Sequence, residues 1–204
     1  MVSTSEIAVI ISAAALSLSV LVLWINSLRP FRLKMVHGGA TFRLYKITPS
    51  MSGDKTGKTW WIPSFDMPVS FHNRGKLSGV VWDIRIRALF KSEWLKFYPL
   101  WVVDYGAFQK HRGDRFRWIQ EAVTGQWYPV FLTGQEAQHR HLIFEGPRWE
   151  NGHEGVMTCI IETFAATRNR WIPCCSFLLH VPPQMYETTD SQMVEDTHVG
   201  HIRD

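Results

Sequence analysis

The sequence lacks charge over one long stretch near its start: residues 7–28 contain no Asp, Glu, Lys or Arg. As a helix this stretch would be about 33 Å long at about 1.5 Å per residue, which matches a bilayer core of about 30 Å. Apolar residues occupy every face of that helix, which excludes an amphipathic surface helix. The pattern predicts one membrane-spanning helix at residues 7–27, with Ile7, Leu16 and Leu23 in the lipid.

Both ends of the predicted helix carry boundary signals. Ser3 and Glu6 have the S-x-x-E spacing of a capping box, which satisfies amide donors at a helix start. Trp24 lies where an indole can occupy the headgroup region, and Arg29 followed by proline ends the helix. The alternative is a cleaved signal peptide, but residues 1–6 lack the basic residues that usually open one. We expect an uncleaved anchor.

Basic residues are missing before the helix and frequent after it. Glu6 is the only charged side chain before the predicted helix, whereas Arg29, Arg32 and Lys34 follow the helix. The positive-inside rule therefore predicts a single-pass protein of the inner cell membrane with its soluble domain in the cytoplasm. An extracytoplasmic domain is the alternative.

Cysteines are few, and acidic residues are outnumbered in most of the chain. Three cysteines cannot all pair within one chain, and an odd number favours a reducing compartment. Residues 29–182 contain 21 Lys and Arg against 12 Asp and Glu. Residues 183–204 are polar and acidic, and we expect a disordered tail there.

The expected partners follow from this charge and from the helix. A basic domain beside a membrane is attracted to anionic lipid, so the bilayer is the first partner. The basic residues are spread singly along the chain and do not cluster, so we expect no nucleic acid. Small residues four apart in the helix, such as Ala8 and Ser12, permit a homo-oligomer through helix–helix contact.

The sequence also lacks the motifs of common enzyme sites. It contains no G-x-S-x-G, H-E-x-x-H or P-loop segment, and Asp66 is one of several isolated carboxylates. His139 and His141 lie on one face of a predicted strand, but a zinc site needs three or four ligands. We predict a structural or solvent-facing thiol at Cys174 and Cys175. We therefore expect no catalytic residue, cofactor or metal; an enzyme of unrecognised type is the alternative.

After the helix, alternation typical of strands replaces helical periodicity. The strongest alternation runs over residues 79–90, where Trp82 falls on the face predicted to be core. Residues 73–76, in which Asn73 and Gly75 supply positive φ, are predicted to join this strand to the preceding one in a hairpin. Further strands are predicted at residues 41–47, 65–72, 97–103, 140–144, 156–164 and 174–181. About seven or eight short strands predict an antiparallel β-sandwich at residues 39–182, after a basic juxtamembrane linker at residues 29–38.

Two segments resemble a known group of proteins. One is residues 69–75 (VSFHNRG) followed by residues 80–90, and the other is residues 128–135 (YPVFLTGQ) followed by residues 140–144. This arrangement resembles small uncharacterised bacterial membrane proteins in which an Ig-like β-sandwich follows an N-terminal transmembrane helix. The resemblance implies an Ig-like fold and a non-catalytic adhesion or scaffold module, and no functional residues transfer from it.

Tryptophan is unusually frequent, with ten residues. Trp60 and Trp61 follow Lys55 and Lys58 in a predicted loop, and neighbouring residues of an extended segment cannot both point inward. One exposed indole beside these lysines is a candidate surface for a protein partner or lipid headgroups; the alternative is packing under a long loop. The sequence thus predicts a membrane-anchored interaction or scaffold module, with an outward-facing ligand- or wall-binding domain as the alternative.

Overall fold

The chain consists of one apolar helix followed by antiparallel strands. The computed structural model describes residues 3–48, 57–104, 106–107, 122–150, 153–165 and 169–186, and the backbone of residues 194–195 and 199–200. Helix α1 (Thr4–Leu23) continues as a π-helix at Trp24–Leu28. The strands are β1 (Leu33–His37), β2 (Thr41–Ile47), β3 (Trp60–Asn73), β4 (Gly79–Phe90), β5 (Glu93–Val103), β6 (Val123–Gln126), β7 (Val130–Leu132), β8 (Ala137–Glu145), β9 (Gly155–Ala165), β10 (Trp171–Val181), β11 (Val194–Glu195) and β12 (Val199–Gly200). The prediction of a mostly β chain behind one apolar helix is confirmed.

The strands form one antiparallel sheet that is nearly closed, like a barrel. Their order is β11-β2-β3-β8-β5-β4-β9-β10-β12, while β1 pairs with β3, β6 with β5 and β7 with β4. His37 of β1 lies against Phe177 of β10, with ring centroids 5.7 Å apart. Strands from the two ends of the order therefore meet around a shared interior.

Aromatic side chains from several strands meet in that interior. Phe65 is fully buried, and its ring centroid lies 5.0 Å from that of Phe42, 4.9 Å from that of Phe97 and 5.8 Å from that of Phe177. One residue of β3 thus contacts β2, β5 and β10. Each such aromatic pair adds about 0.5–1.5 kcal/mol beyond the burial of its area.

The regular alternation of β10 places its side chains as predicted. The residues expected to face the core are all buried, namely Cys175, Phe177, Leu179 and Val181. Leu178, on the opposite face, is exposed. Alternation predicts orientation here because these residues pair with β9 without interruption.

In β4 the alternation is interrupted, and the predicted position of Trp82 in the core is wrong. The register between β4 and β9 shifts between Val81 and Asp83. Such a bulge inserts one residue and reverses the phase of the side chains. Val81 and Ile84 consequently point inward, and Trp82 is 50% exposed.

The predicted hairpin at residues 73–76 is also wrong. β3 pairs with β1, β2 and β8, whereas β4 pairs with β5, β7 and β9, so residues 73–76 cross between strands that do not pair. The hairpin of β4 is formed with β5 through Lys91 and Ser92, whose φ angles are 44° and 74°. Two positive φ values are typical of a type I′ turn, but neither residue is the Asn or Gly that usually signals one.

β1 lies within residues 29–38, where we expected a linker, and pairs with the last part of β3. β2 pairs with the first part of β3, and Pro68 lies between the two pairings. The carbonyl of Pro68 accepts a hydrogen bond from the amide of Gly38 (2.9 Å). In a strand, the nitrogen and the carbonyl of one residue point to the same side. The nitrogen of Pro68 therefore faces the gap between β1 and β2, where its missing N–H costs no hydrogen bond between strands.

The predicted loops and tail are only partly described. Of the predicted loop at residues 48–62, the last three residues belong to β3, and β6 lies within the predicted loop at residues 104–128. The predicted disordered tail begins with a 3-10 helix, Pro183–Tyr186, in which Met185 is buried.

We predict that Phe65→Ala lowers the free energy of unfolding by about 3–5 kcal/mol, because it leaves a cavity where several rings meet. Phe131→Ala is the matched control: Phe131 is 55% exposed, so the change should cost less than about 1 kcal/mol. Urea unfolding of the full-length protein in detergent micelles measures both. Equal losses for the two variants would contradict the assignment of Phe65 to the centre of the core.

Candidate functional site: the junction of helix and domain

Helix α1 presents an apolar surface along its whole length. None of its residues is buried against the domain, including Ile7, Leu16 and Leu23. The helical segment Thr4–Leu28 has 25 residues, and an 18-residue stretch within it reaches a mean hydropathy of 2.5, so the segment is long and apolar enough to cross a membrane. Trp24 is half exposed at its C-terminal end.

Several polar groups of the helix are satisfied within it. The capping box is confirmed: the Ser3 hydroxyl accepts from the amide of Glu6 (3.3 Å), and the Glu6 carboxylate accepts from the amide of Ser3 (2.8 Å). The hydroxyls of Ser17 and Ser19 donate to carbonyls one turn earlier, each at 2.8 Å. These bonds lower the cost of placing the helix in lipid.

The helix joins the domain directly. The π-helix ends at Leu28, and the carbonyl of the next residue, Arg29, accepts hydrogen bonds from the amides of Lys76 (2.9 Å) and Leu77 (3.0 Å). The carbonyl of Arg32 accepts from the amide of Arg74 (2.8 Å). Residues 74–77 therefore lie beside the end of the helix, with no free chain between helix and domain.

Two glycines permit this close approach. A Cβ atom on Gly75 would lie 1.9 Å from the carbonyl oxygen of Pro30, and a Cβ atom on Gly79 would lie 2.2 Å from the ring of Phe31. Both distances are far inside van der Waals contact, so any side chain at either position would displace the segment that follows the helix.

The side chain of Asn73 connects three segments at this junction. It is buried; its Oδ1 atom accepts from the amides of Gly75 (2.8 Å) and Arg32 (3.3 Å). Its Nδ2 atom donates to the carbonyls of Leu77 and Thr133, both at 2.8 Å. We predicted Asn73 as a turn residue with positive φ, but its φ is negative and its role is that of a side-chain bridge.

The structure describes three of the four residues of the predicted interaction surface, namely Lys58, Trp60 and Trp61. Lys55 lies outside the described residues, and Lys58 is exposed. Trp60 is half-buried with the Arg148 guanidinium 4.6 Å from its ring centroid. Trp61 is half-buried, packs against the core and bonds through its backbone to Trp149. Both residues lie at the start of β3 and neither indole is fully exposed, and their role as an interaction surface stays a prediction.

A second aromatic surface, which we call the tryptophan face, lies on the outside of β4, β5, β9 and β10. Glu162 is buried and accepts from Arg85 (2.7 Å) and Arg87 (2.9 Å). The guanidinium of Arg85 lies 3.9 Å from the ring centroid of Trp171, and that of Arg87 lies 4.3 Å from that of Trp94. Trp94 is 42% exposed. One carboxylate thus holds two arginines in place against two indoles.

A cluster of buried charged residues lies on the outer side of β2, β3 and β8. Asp66 pairs with Arg43 (3.5 Å) and bonds to Nε2 of His141. Ile143, the register partner of Asp66, packs with Val103 in a small apolar cluster that covers this side of the sheet. From the sequence we predicted Asp66 to be an isolated carboxylate, because its partners Arg43 and His141 lie 23 and 75 residues away along the chain.

The two histidines of β8 have separate partners. Nδ1 of His139 lies 2.6 Å from the hydroxyl of Ser70, whereas His141 bonds to Asp66. In the part of the chain that the structure describes, no three His, Cys, Asp or Glu side chains converge as metal ligands.

The cysteines lie on neighbouring strands. Cys159 of β9 lies opposite Phe177, and Cys175 of β10 lies opposite Ile161. Burial raises the pKa of the Cys175 thiol to about 12. This thiol is therefore protonated, and a poor nucleophile, at neutral pH.

Comparison with known proteins gives little further information. No family model matches the chain, and no curated protein matches it. Among solved structures, the chain is similar to a protein described as ApaA from Bordetella pertussis, with 14% sequence identity over 76% of this chain and 98% of that one. The TM-score of 0.36 is too low to support an inference about this chain.

We predict that Asn73→Ala lowers the free energy of unfolding by about 3 kcal/mol, since it removes four hydrogen bonds and leaves buried backbone groups without this partner. Gln126→Ala, which removes an exposed amide side chain, is the control and should cost less than about 0.5 kcal/mol. The measurement is urea unfolding of the full-length protein in micelles. An Asn73→Ala variant as stable as the control would show that the bridge does not hold the junction.

Proposed function

We propose that this chain is a single-pass membrane protein whose domain is a non-catalytic interaction or scaffold module held directly at the bilayer surface. The supporting observation is the junction: a 25-residue apolar helix is followed at once by hydrogen bonds from Arg29 to Lys76 and Leu77. Because no free chain separates the two parts, a helix that crosses the bilayer fixes residues 74–77 at its surface.

The environment of the candidate chemical groups supports a non-catalytic role. Asp66 is held by Arg43 and His141, and Glu162 is held by Arg85 and Arg87. Burial raises the pKa of Tyr45 and of Cys175 to about 12, so both remain protonated at neutral pH. Groups fixed in this way stabilise the domain and are poorly suited to proton transfer or nucleophilic attack.

The tryptophan face supports the choice of a protein partner. Tryptophan and arginine are the side chains that most often dominate the energy of protein interfaces. Here Arg85 and Arg87 are already ordered by Glu162 and stacked on Trp171 and Trp94, so a partner would pay little entropy to engage them. The surface of Lys58, Trp60 and Trp61 is the second candidate for partner binding.

We further propose that the domain is an Ig-like sandwich. β5 pairs with β4 over its first residues and with β8 over its last, and its register with β8 shifts between Pro99 and Trp101. A strand that changes partners at a bend is the usual corner between two packed sheets. The contact between Phe65 and Phe177 is consistent with two inner faces that pack on each other.

The basic residues after the helix support a cytoplasmic domain. Arg29, Arg32 and Lys34 lie within six residues of the helix end at Leu28, where the positive-inside rule applies most strongly. The opposite orientation would give an outward-facing ligand- or wall-binding domain.

Cysteine labelling in intact cells tests this proposal. In a Cys174→Ser background, Lys96→Cys places a thiol on the exposed surface of β5, and Ser5→Cys places one at the opposite end of the helix. We predict that a membrane-impermeant maleimide labels Ser5→Cys in intact cells and Lys96→Cys only after permeabilisation.

We also predict that alkaline carbonate does not release the protein from membranes.

The contrary results are distinct. Labelling of Lys96→Cys in intact cells would place the domain outside. Release of the protein by carbonate would show that the helix does not anchor it.

A further inference from the structure

An open cleft lies beside the junction, between β1, the end of β3 and the turn before β8. Its volume is about 540 Å³, and its polar lining comes from Lys34, His72, Arg74, Gln135 and Glu136. Lys34 and His72 are register partners in the pairing of β1 with β3, so their side chains leave the same face of the sheet. Arg74 follows one residue after β3 ends.

The cationic groups of the cleft are available to a ligand. Lys34 and Arg74 are exposed, and neither forms an ion pair with a carboxylate among the described residues. The ammonium of Lys76 at the rim is 2.5 Å from the amide oxygen of Gln135. A guanidinium, an ammonium and an imidazole at one cleft are the donors that proteins use to bind phosphate.

The one carboxylate of the cleft is already engaged. Glu136 accepts from the amide and hydroxyl of Thr133 (2.7 and 2.8 Å) and from Gln138 (2.9 Å). Hydrogen bonds from Gln138 and Thr133 hold the pKa of Glu136 below its usual value. It is thus tied into the turn as a carboxylate, and among the described residues it forms no ion pair with Lys34 or Arg74.

The cleft also lies at the end of the domain where the helix leaves. Arg74 of the cleft belongs to the junction itself: its amide bonds to the carbonyl of Arg32, three residues after Arg29. Two large apolar side chains are exposed at this end, Leu77 at 45% and Phe131 at 55%. Asn73 bonds to the carbonyl of Leu77 and to that of Thr133, two residues after Phe131, so the two segments lie close together at this end of the domain.

We propose that this cleft binds the phosphate of an anionic lipid headgroup in the leaflet from which the helix emerges. Arg74 and Lys34 contact the phosphate oxygens, His72 and Gln135 contribute hydrogen bonds, and Leu77 and Phe131 lie among the headgroups. This inference rests on the proposed membrane anchor, because the junction is what brings the cleft to the bilayer. Anionic lipid would then fix the orientation of the domain.

Lipid binding to the full-length protein in a non-ionic detergent tests the proposal. Native mass spectrometry would follow titration with short-chain phosphatidylglycerol, with short-chain phosphatidylcholine and inorganic phosphate as comparison ligands. We expect saturable binding of phosphatidylglycerol and at least about tenfold weaker binding by the variant with Lys34→Gln and Arg74→Gln, since each cation near a lipid surface contributes measurably to binding. The control variant combines Lys91→Gln and Lys96→Gln, which removes two exposed lysines of the β4–β5 hairpin, and should bind as the wild type does.

Each other outcome overturns the proposal. Equal binding of phosphatidylcholine would show that the cleft does not select anionic lipid, and equal binding by inorganic phosphate would show an anion site without lipid recognition. An equal loss of phosphatidylglycerol binding in both double variants would show that binding depends only on the net charge of the protein. Carbonate extraction of the wild type tests the membrane anchor separately. A protein that resists extraction but does not bind phosphatidylglycerol would overturn the proposed lipid site and leave the anchor intact.

Discussion

The carbonyl of Arg29 and the two amides that bond to it, those of Lys76 and Leu77, determine how the two parts of this protein are related. A flexible tether would let the domain sample many distances and orientations from the membrane. Here the first residue after the π-helix is already part of the domain, and Gly75 and Gly79 leave the space that this contact needs. The proposed place of the domain and of the basic cleft at the bilayer surface depends on this direct connection.

The domain separates stabilising charges from exposed ones. Asp66 and Glu162 are paired in the surface of the sheet, where removing one partner of a buried pair is costly. Lys34 and Arg74, in contrast, are exposed near the end of the helix. The basic residues counted from composition therefore include buried, paired ones and exposed ones, and the proposed contact with lipid uses two of the exposed ones.

Local patterns predicted those elements whose alternation runs without interruption. The bounds of β2 match the prediction. The buried face of β10 could be obtained from sequence because its side chains from Cys175 to Val181 take the orientation that a period of two requires. Trp82 could not, because the bulge beside Val81 reverses the phase and leaves no signal in residue type. The boundary signals of the helix, Ser3 with Glu6, were readable since capping is a local interaction.

The junction could not be predicted for a different physical reason. Asn73 and Arg32 are 41 residues apart, and nothing in either segment indicates that they bond. The same limit hid the pairing of Asp66 with His141, which joins two strands 75 residues apart in sequence. Gly75 was noticed as a turn residue, whereas its function is to admit Pro30, a contact visible only in three dimensions.

Depth-dependent quenching measures the central claim most directly. An environment-sensitive dye would be attached to Leu77→Cys or, separately, to Lys91→Cys, in full-length Cys174→Ser protein reconstituted in vesicles that contain lipids brominated near the headgroup. Lys91 follows the far end of β4, about 40 Å from Gly79 at about 3.3 Å per residue. The direct junction predicts strong quenching of the dye at position 77 and much weaker quenching at position 91. Absence of quenching at position 77 would contradict it.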